Sequence, residues 1–382
     1  MTSEWHKAKL DDVLTVKRGE TITKKEAQEG PFPVILGGKE PAYYIDKYNH
    51  TGKAIVISRS GASAGYVSFW NQPIFVTDGF LLEPKEGISY EFLYQLLKNK
   101  QFELHHSQRG AAIPHVTPAL IKAINIVLPP DDIRERIASI LTAYELLIEN
   151  NNRRIFLLEH MAETLYKEWF VRFRFSGYEK AEFENGLPKG WKSFKAEEHY
   201  KISIGKTPPR KDFEWFTKGN PTAQNWLSIS DMAGTFVSDT DEQITQAAVS
   251  RFNMMVAPRN SILLSFKLTV GRVAIAAIPL CTNEAIAHFK EVPEIEREFL
   301  YLQLKLYEYS SLGNTSAIGN AINSKIVKAM RLILPSEEVL TCFHRVVKPM
   351  FDSMESLKKR NEILSRQRDL LLPRLMSGKL IV

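Results

Sequence analysis

The chain has 382 residues, 44% of them hydrophobic and 25% charged, a length that suits two domains plus connecting elements. Its 50 basic and 44 acidic residues leave a formal charge of +6, mildly basic and so compatible with nucleic acid without requiring it. Two cysteines, Cys281 and Cys342, exclude a disulfide framework and read as core residues of a protein in a reducing compartment. Residues 1–9 are charged and carry no apolar signal core. The longest apolar run, 273–281, contains a proline and is far short of a membrane span, so a cytoplasmic protein without a membrane partner is expected.

In chain order, residues 1–128 read as a first mixed domain. The stretches 54–58, 66–70 and 74–76 are β-branched and aromatic runs bounded by Gly, Asn and Pro, which predicts strands, and 90–98 has helical spacing. Residues 129–171 predict a long helix. Pro129 and Pro130 stop what precedes, Asp131 and Asp132 suit a helix N-terminus, and about 40 residues at ~1.5 Å each would span roughly 60 Å. An apolar stripe runs through Ile133, Ile137, Ile140, Tyr144, Leu147, Ile155, Leu158, Ala162, Leu165 and Trp169. Residues 172–190 read as a linker, centred on Gly186-Leu187-Pro188-Lys189-Gly190. A second domain follows at 191–334, with strands expected at 261–266 and 272–278 and a helix at 297–307. A second long helix is expected at 335–376, with a tail at 377–382.

The second half repeats the first. Adding 206 to the stripe positions gives Val339, Phe343, Val346, Met350, Ser353, Asn361, Leu364, Arg368, Leu371 and Leu375, and takes Asn151 onto Leu357. Ser353, Asn361 and Arg368 are polar departures, and Pro349 should kink or split this copy. Trp5 and Gly19 recur as Trp191 and Gly205. Ile55-Val56-Ile57-Ser58 matches Ile262-Leu263-Leu264-Ser265, with Gly65 and Gly271 shortly after. Glu91-Phe92-Leu93-Tyr94 recurs unchanged at 298–301. The offset drifts from 186 to 207 and settles at 206, which places insertions early in the unit. Two long copies are too few for a solenoid. The expected fold class is α+β: two similar, strand-rich domains, each followed by a long helix whose apolar stripe needs the other as its partner.

Motifs for catalysis are weak. Ile204-Gly205-Lys206-Thr207 looks like the end of a phosphate-binding loop, but Tyr200 stands where that loop needs glycine, and prolines follow at 208 and 209. Asn71-Gln72-Pro73-Ile74 lacks the second proline and the aromatic of an amino-methyltransferase site. His105, His106 and His115 have no Cys or carboxylate at ligand spacing, so no metal and no cofactor is expected in this chain. A binding protein is the expectation.

Polar and basic residues in predicted loops are the candidates for that binding. In the first domain they are Lys39, Lys53, Arg59, Ser60, Ser63, Gln108, Arg109 and His115. In the second they are Lys206, Arg210, Lys211, Lys267, Thr269, Arg272, Asn314, Thr315, Asn320 and Asn323. Arg and Lys suit phosphates and guanine edges, while Asn and Gln suit adenine. Arg59 and Lys267 stand out because each follows a matched strand and precedes a matched glycine.

The whole chain resembles the specificity subunit of type I restriction–modification systems. The likeness lies in the duplicated architecture and in local signatures. These are the helix openings Leu128-Pro129-Pro130 and Leu334-Pro335, the helix end Leu165-Tyr166-Lys167-Glu168-Trp169-Phe170, and Gly186-Leu187-Pro188-Lys189-Gly190-Trp191. Trp226-Leu227-Ser228-Ile229-Ser230-Asp231-Met232 and the ending Leu375-Met376-Ser377-Gly378 complete them. The chain departs from the family where a Gln often follows the helix opening: Arg134 or Glu135 stands there, and Val339 or Leu340 in the second copy. The resemblance implies two target-recognition domains held apart by an antiparallel coiled coil of the two long helices, each domain reading half of a split, asymmetric double-stranded DNA site. It implies two modification subunits that carry S-adenosylmethionine and methylate adenine, with a restriction subunit able to join for cleavage. The chain itself would not be catalytic. Arg153, Arg154, Lys358, Lys359 and Arg360 are candidates for the face that docks the modification subunits. A bivalent scaffold for proteins or RNA is the alternative from a different class.

Overall fold

The computed structural model describes residues 5–23, 27–106, 115–312 and 322–382. The chain forms two compact units, Met1–Glu149 with Glu362–Val382, and Asn150–Asn361.

The first unit opens with β1 (His6–Lys9), a one-turn helix α1 (Leu10–Val13) and β2 (Leu14–Arg18). Strands β3 (Phe32–Ile35), β4 (Tyr43–Ile45), β5 (Lys53–Ser58), β6 (Val67–Asn71), β7 (Phe75–Val76) and β8 (Gly79–Pro84) follow. Helices α2 (Tyr90–Asn99), α3 (Gln101–His106) and α4 (Pro118–Ala123) lead to β9 (Asn125–Leu128). The main sheet has the order β2-β8-β5-β6 and a smaller one the order β4-β3-β7. β5 is central, and after Lys53 every residue is buried, which is why its sequence is a continuous Ala-Ile-Val-Ile run rather than an alternation. α2 starts where the Ser89 side chain accepts from the Phe92 amide at 3.3 Å, and it turns Phe92, Leu93, Leu96 and Leu97 into the core. α4 is capped likewise by Thr117, with Pro118 in its first turn.

After Pro129 and Pro130 comes α5 (Asp131–Tyr166), prolonged by a π-helical turn over Lys167–Val171. The second unit continues with a small hairpin, β10 (Phe183–Glu184) and β11 (Leu187–Pro188). Then come β12 (Lys192–Lys195), α6 (Ala196–His199), β13 (Lys201–Ile204), β14 (Phe216–Thr217), β15 (Gln224–Leu227), β16 (Phe236–Val237), β17 (Glu242–Ile244) and α7 (Gln246–Arg251). β18 (Ile262–Ser265), β19 (Val273–Ala276), β20 (Cys281–Thr282), β21 (Ile286–Lys290), α8 (Glu294–Lys305), α9 (Ser324–Lys328), β22 (Arg331–Leu334) and α10 (Glu337–Met376) complete the chain.

The duplication is topological. The β2-β8-β5-β6 order returns as β13-β21-β18-β19, extended by β16. The parallel β3·β7 pair returns as β15·β20, with β17 and β14 beyond. The first and last strands of each domain pair antiparallel, His6 with Leu128 and Lys192 with Leu334. Gly19 and Gly205 occupy the same place. Each amide donates to the first residue of the strand opposite, Gly79 at 3.0 Å and Ile286 at 3.1 Å, and a Cβ on either would overlap the facing backbone. β17 takes the place of β4, so the extra elements are β14, β16 and helix α7, and all lie between 213 and 251, where the offset drift had placed the insertions.

Each unit packs antiparallel stretches of both long helices against its domain. In the first, Ile137, Ala138 and Leu141 join Leu375 and Met376 in one core with Phe92 and Leu93. In the second, Ala162 meets Val347, Phe351 and Met354. The signature around Tyr166–Phe170 is an aromatic plug: Phe170 lies 4.7 Å from Phe299, 4.8 Å from Phe343 and 5.7 Å from Trp191, ring centre to ring centre.

Four expectations change. Leu147 and Val346 are exposed and Ser353 is off the seam; Val347 and Met354 are buried instead, because a 3.6-residue turn drifts out of phase with a fixed seven-residue stripe. α10 is not split at Pro349, which lies on the exposed face where water can meet the carbonyl left without an amide donor. The stretch read as a linker carries β10–β11, and its Phe175 is buried beside Trp191 at 5.4 Å between ring centres. Cys281 is in the core, but Cys342 is only half-buried.

Candidate nucleic-acid interface

In the first unit the β5–β6 loop, residues 59–66, organises the candidates. Arg59 Nε lies 3.0 Å from Asp78 Oδ1, and the Ser60 hydroxyl donates to the other oxygen of the same carboxylate. Ser60 forms a β-bridge with His115, and the Val116 amide donates to the Arg59 carbonyl at 2.9 Å. On one side of the loop, Arg18, Arg59, His115 and Thr117 line a groove of about 400 Å³. On the other, Lys39, Ser63, Tyr66, Lys98, Phe102 and His106 line one of about 590 Å³. Lys39 and Lys98 both approach the Tyr66 ring, at 5.7 and 5.1 Å from its centre. Phe102 is exposed and stacks on His106 at 3.9 Å. Burial pushes the Lys98 ammonium below its ordinary range and the Tyr66 phenol above its own. Lys53 lies apart, paired with Glu91 at 2.6 Å. Gln108 and Arg109 lie outside the described residues.

Both grooves contain residues that sequence reasoning missed: Arg18 belongs to the first, and Tyr66, Lys98, Phe102 and His106 to the second. The interleaving of cations and aromatics between 98 and 106 was the available signal, since stacking surfaces and positive charge together suit a nucleic-acid strand.

In the second unit the equivalent loop, 266–272, carries Lys267, Thr269 and Arg272. Ser265 braces it: its hydroxyl donates to the Thr269 carbonyl at 2.5 Å and accepts the Arg272 amide at 3.0 Å. The Arg272 guanidinium donates to the Ile229 carbonyl at 2.9 Å. Lys267 is exposed, 5.7 Å from the Phe266 ring centre. The Thr207 hydroxyl donates to Glu284; that bond, with the charges of Lys267 and Arg210 nearby, holds the carboxyl below its ordinary range. Lys206 Nζ donates to the Phe252 and Asn253 carbonyls, both at 3.1 Å. Arg210 makes a two-pronged pair with Glu242 at 2.7 and 2.9 Å and covers the Phe216 and Trp226 rings. Lys211 is exposed, and Asn323 is the N-cap of α9, accepting from Lys325 and Ile326. Asn314, Thr315 and Asn320 lie outside the described residues. By strand count Lys267 matches Ser60, not Arg59, whose counterpart is the buried Phe266.

Among the described residues no three His, Cys, Asp or Glu side chains gather as a metal site would need, and no helix is long and apolar enough to cross a membrane. What the geometry defines is a duplication: two α+β domains of one topology, each with a braced hairpin loop beside cationic side chains.

The profile of the family described as the type I restriction modification DNA specificity domain matches residues 2–160 and again 188–369, and the chain belongs to that family. Its relatives include the MjaIX specificity subunit of a type I restriction enzyme from Methanocaldococcus jannaschii, 25% identical over 99% of this chain and 94% of that one. The HindI specificity subunit from Haemophilus influenzae is 24% identical over 80% of each. The crystal structure of a type I restriction-modification S subunit from M. genitalium shares the fold, with a TM-score of 0.59 and 17% identity, covering 97% of this chain and 96% of that chain. The chain is thus a DNA specificity subunit and not itself the catalyst of a type I system.

Proposed function

We propose that each domain, 1–128 and 191–334, reads one half of a split, asymmetric double-stranded DNA site. The helical segments 129–171 and 335–376 set the spacer between the halves, with 172–190 joining the copies and 377–382 as a tail. One observation carries this reading. The two domains share a sheet order and a strand-paired neck, yet their matched loops, 59–66 and 266–272, differ in length and chemistry. A conserved scaffold with divergent loops is what reading two different half-sites requires. Because DNA contacts fall out of phase as the duplex turns, the spacer has one allowed length.

Lys39, Ser63, His115, Lys211, Lys267 and Thr269 are the foremost DNA contacts of the candidates. Arg210, Arg272, Lys53, Lys206 and Asn323 already hold partners within the fold and would support the surface rather than read it.

The partners are two modification subunits, which bring S-adenosylmethionine and methylate adenine in each half; this chain brings no cofactor. A restriction subunit joins for cleavage, and the complex works in the cytoplasm. Arg153, Arg154, Lys359 and Arg360 are exposed on the helices and suit docking of the modification subunits, whereas Lys358 turns inward and donates to the Phe236 carbonyl.

The test is to map methylated adenines in DNA from cells that express this chain with its modification subunit. A split motif with one fixed spacer, lost when this chain is deleted, is expected. Absence of any motif from an assembled, cofactor-loaded complex would return the function to a bivalent scaffold.

A further inference from the structure

Leu268 breaks a rule that its counterpart keeps. The third residue after strand β5 is Gly61, whose φ of +79° belongs to the left-handed region that glycine occupies without strain. The third residue after the matched strand β18 is Leu268, with a φ of +60°. Leucine is strained there, and its side chain is 96% exposed, so packing gives nothing back.

The loop is nonetheless fixed. Ser265 ties both sides of it through its hydroxyl, the Gly271 amide donates to the Ser265 carbonyl at 2.9 Å, and the Tyr309 ring lies so close to Gly271 that a Cβ there would sit 3.0 Å from it. A braced hairpin thus holds an apolar side chain out at its tip, at a local cost, between the exposed Lys267 and Thr269. Strain that the surrounding structure enforces and that burial does not offset points to a use outside the fold.

We infer that Leu268 is a specificity-determining residue of the second domain, making an apolar contact with a thymine 5-methyl group while Lys267 takes the neighbouring phosphate. The thymine methyl is the apolar group that the major groove presents, and an adjacent cation draws the tip to the backbone. This inference rests on the DNA-reading function proposed above.

The experiment compares the assembled complex carrying wild-type chain, L268G or L268N on duplexes with the mapped split motif, intact or with either half scrambled. Gly and Asn both accept a left-handed φ, so neither variant strains the fold, and melting temperatures equal to or above wild type are expected. Loss of one leucine's burial predicts about tenfold to a hundredfold weaker binding to the intact motif, with little change when the second half is scrambled. Uracil in place of thymine should weaken wild-type binding at one position of the second half and leave L268G unaffected there. Wild-type affinity in L268G, or no position at which uracil matters, would overturn the inference. If the wild-type complex binds no split site at all, it is the underlying function that falls.

Discussion

The Asn151 amide donates to Asn361 Oδ1 at 2.8 Å, and the Asn361 amide donates in turn to Asn152 Oδ1, also at 2.8 Å. Asparagines from the two long helices thus satisfy one another along a seam that is mostly apolar. Six residues earlier on α5 and seven later on α10, Glu145 pairs with Arg368 at 3.0 Å in the same antiparallel sense. A polar pair in a coiled-coil seam selects one register at some expense of stability. N361L is therefore expected to lower the unfolding free energy by about 1 kcal/mol, since it strands two amides. The double variant N151L/N361L should recover or exceed wild-type stability but relax the register. Thermal melts and the spacer in the methylation motif check this: a broader spacer in the double variant is the expected outcome.

Glu159 fastens the second domain to α5. It accepts from Tyr301 at 2.7 Å and Thr235 at 2.6 Å, and pairs with Lys305 at 2.6 Å. Burial works to raise its carboxyl, but Lys305 and the two hydroxyls more than reverse this and hold it below the ordinary range. E159L takes the acceptor from the buried Tyr301 and Thr235 hydroxyls, while Lys305 keeps Glu163 at 2.9 Å, and should cost about 2 kcal/mol in chemical denaturation, with E159Q milder. A loss under ~1 kcal/mol for E159L would show that the network contributes little.

His288 is fully buried on β21, with Thr282 Oγ1 2.7 Å from its Nε2. Burial, helped by Lys290, pushes its pKa from 6.5 down to about 4. Between those values the unfolded chain binds the proton and the folded chain does not. This contribution to stability is therefore complete above pH 6.5 and is lost as pH falls through 4, by about 3 kcal/mol. H288Q should flatten the pH dependence of unfolding in that window; an unchanged slope would assign the acid sensitivity to other groups.

Gly19 and Gly205 are predicted to be equally intolerant. G19A pushes a methyl into the backbone of Val76 and Thr77, and G205A into the backbone of Thr282 and Asn283 and the Thr282 hydroxyl, so each should destabilise its own unit by several kcal/mol. Limited proteolysis would show the damage confined to the unit that carries the change.

K267A removes an exposed cation beside the braced loop. Binding of the complex to cognate DNA should weaken, and the slope of log affinity against log salt should fall by about 1. A weaker binder with an unchanged slope would mean that Lys267 acts through the loop and not on a phosphate.

The duplication, the two long helices, the central strands and α2 and α8 were legible in the sequence because each rests on local periodicity that recurs at an offset of 206 or 207. The phase of the helix seam was not. Whether Val346 or Val347 faces inward depends on a drift of a fraction of a turn, which only the packing of Phe351 and Met354 settles. The candidate site was legible as a pair of loops and not as chemistry. Arg210 and Lys53 read as available cations, yet each has a carboxylate partner more than 30 residues away, Glu242 and Glu91, that no local pattern announces. Leu268 was passed over because a leucine in a loop carries no signal until its backbone angle is known.

The antiparallel pairing of β1 with β9, and of β12 with β22, closes each domain at its base. The chain therefore comes in and goes out at one point, and what lies between could be replaced provided the residues that meet the long helices, such as Phe92 and Leu93 or Thr235 and Tyr301, kept their place. A gene built this way can trade one recognition cassette for another by recombination at two short sequences, Trp5 to Gly19 or its counterpart at one end and the Leu-Pro helix opening at the other. Half of the target would change in a single event while the other half, and the machinery that acts on both, stayed the same.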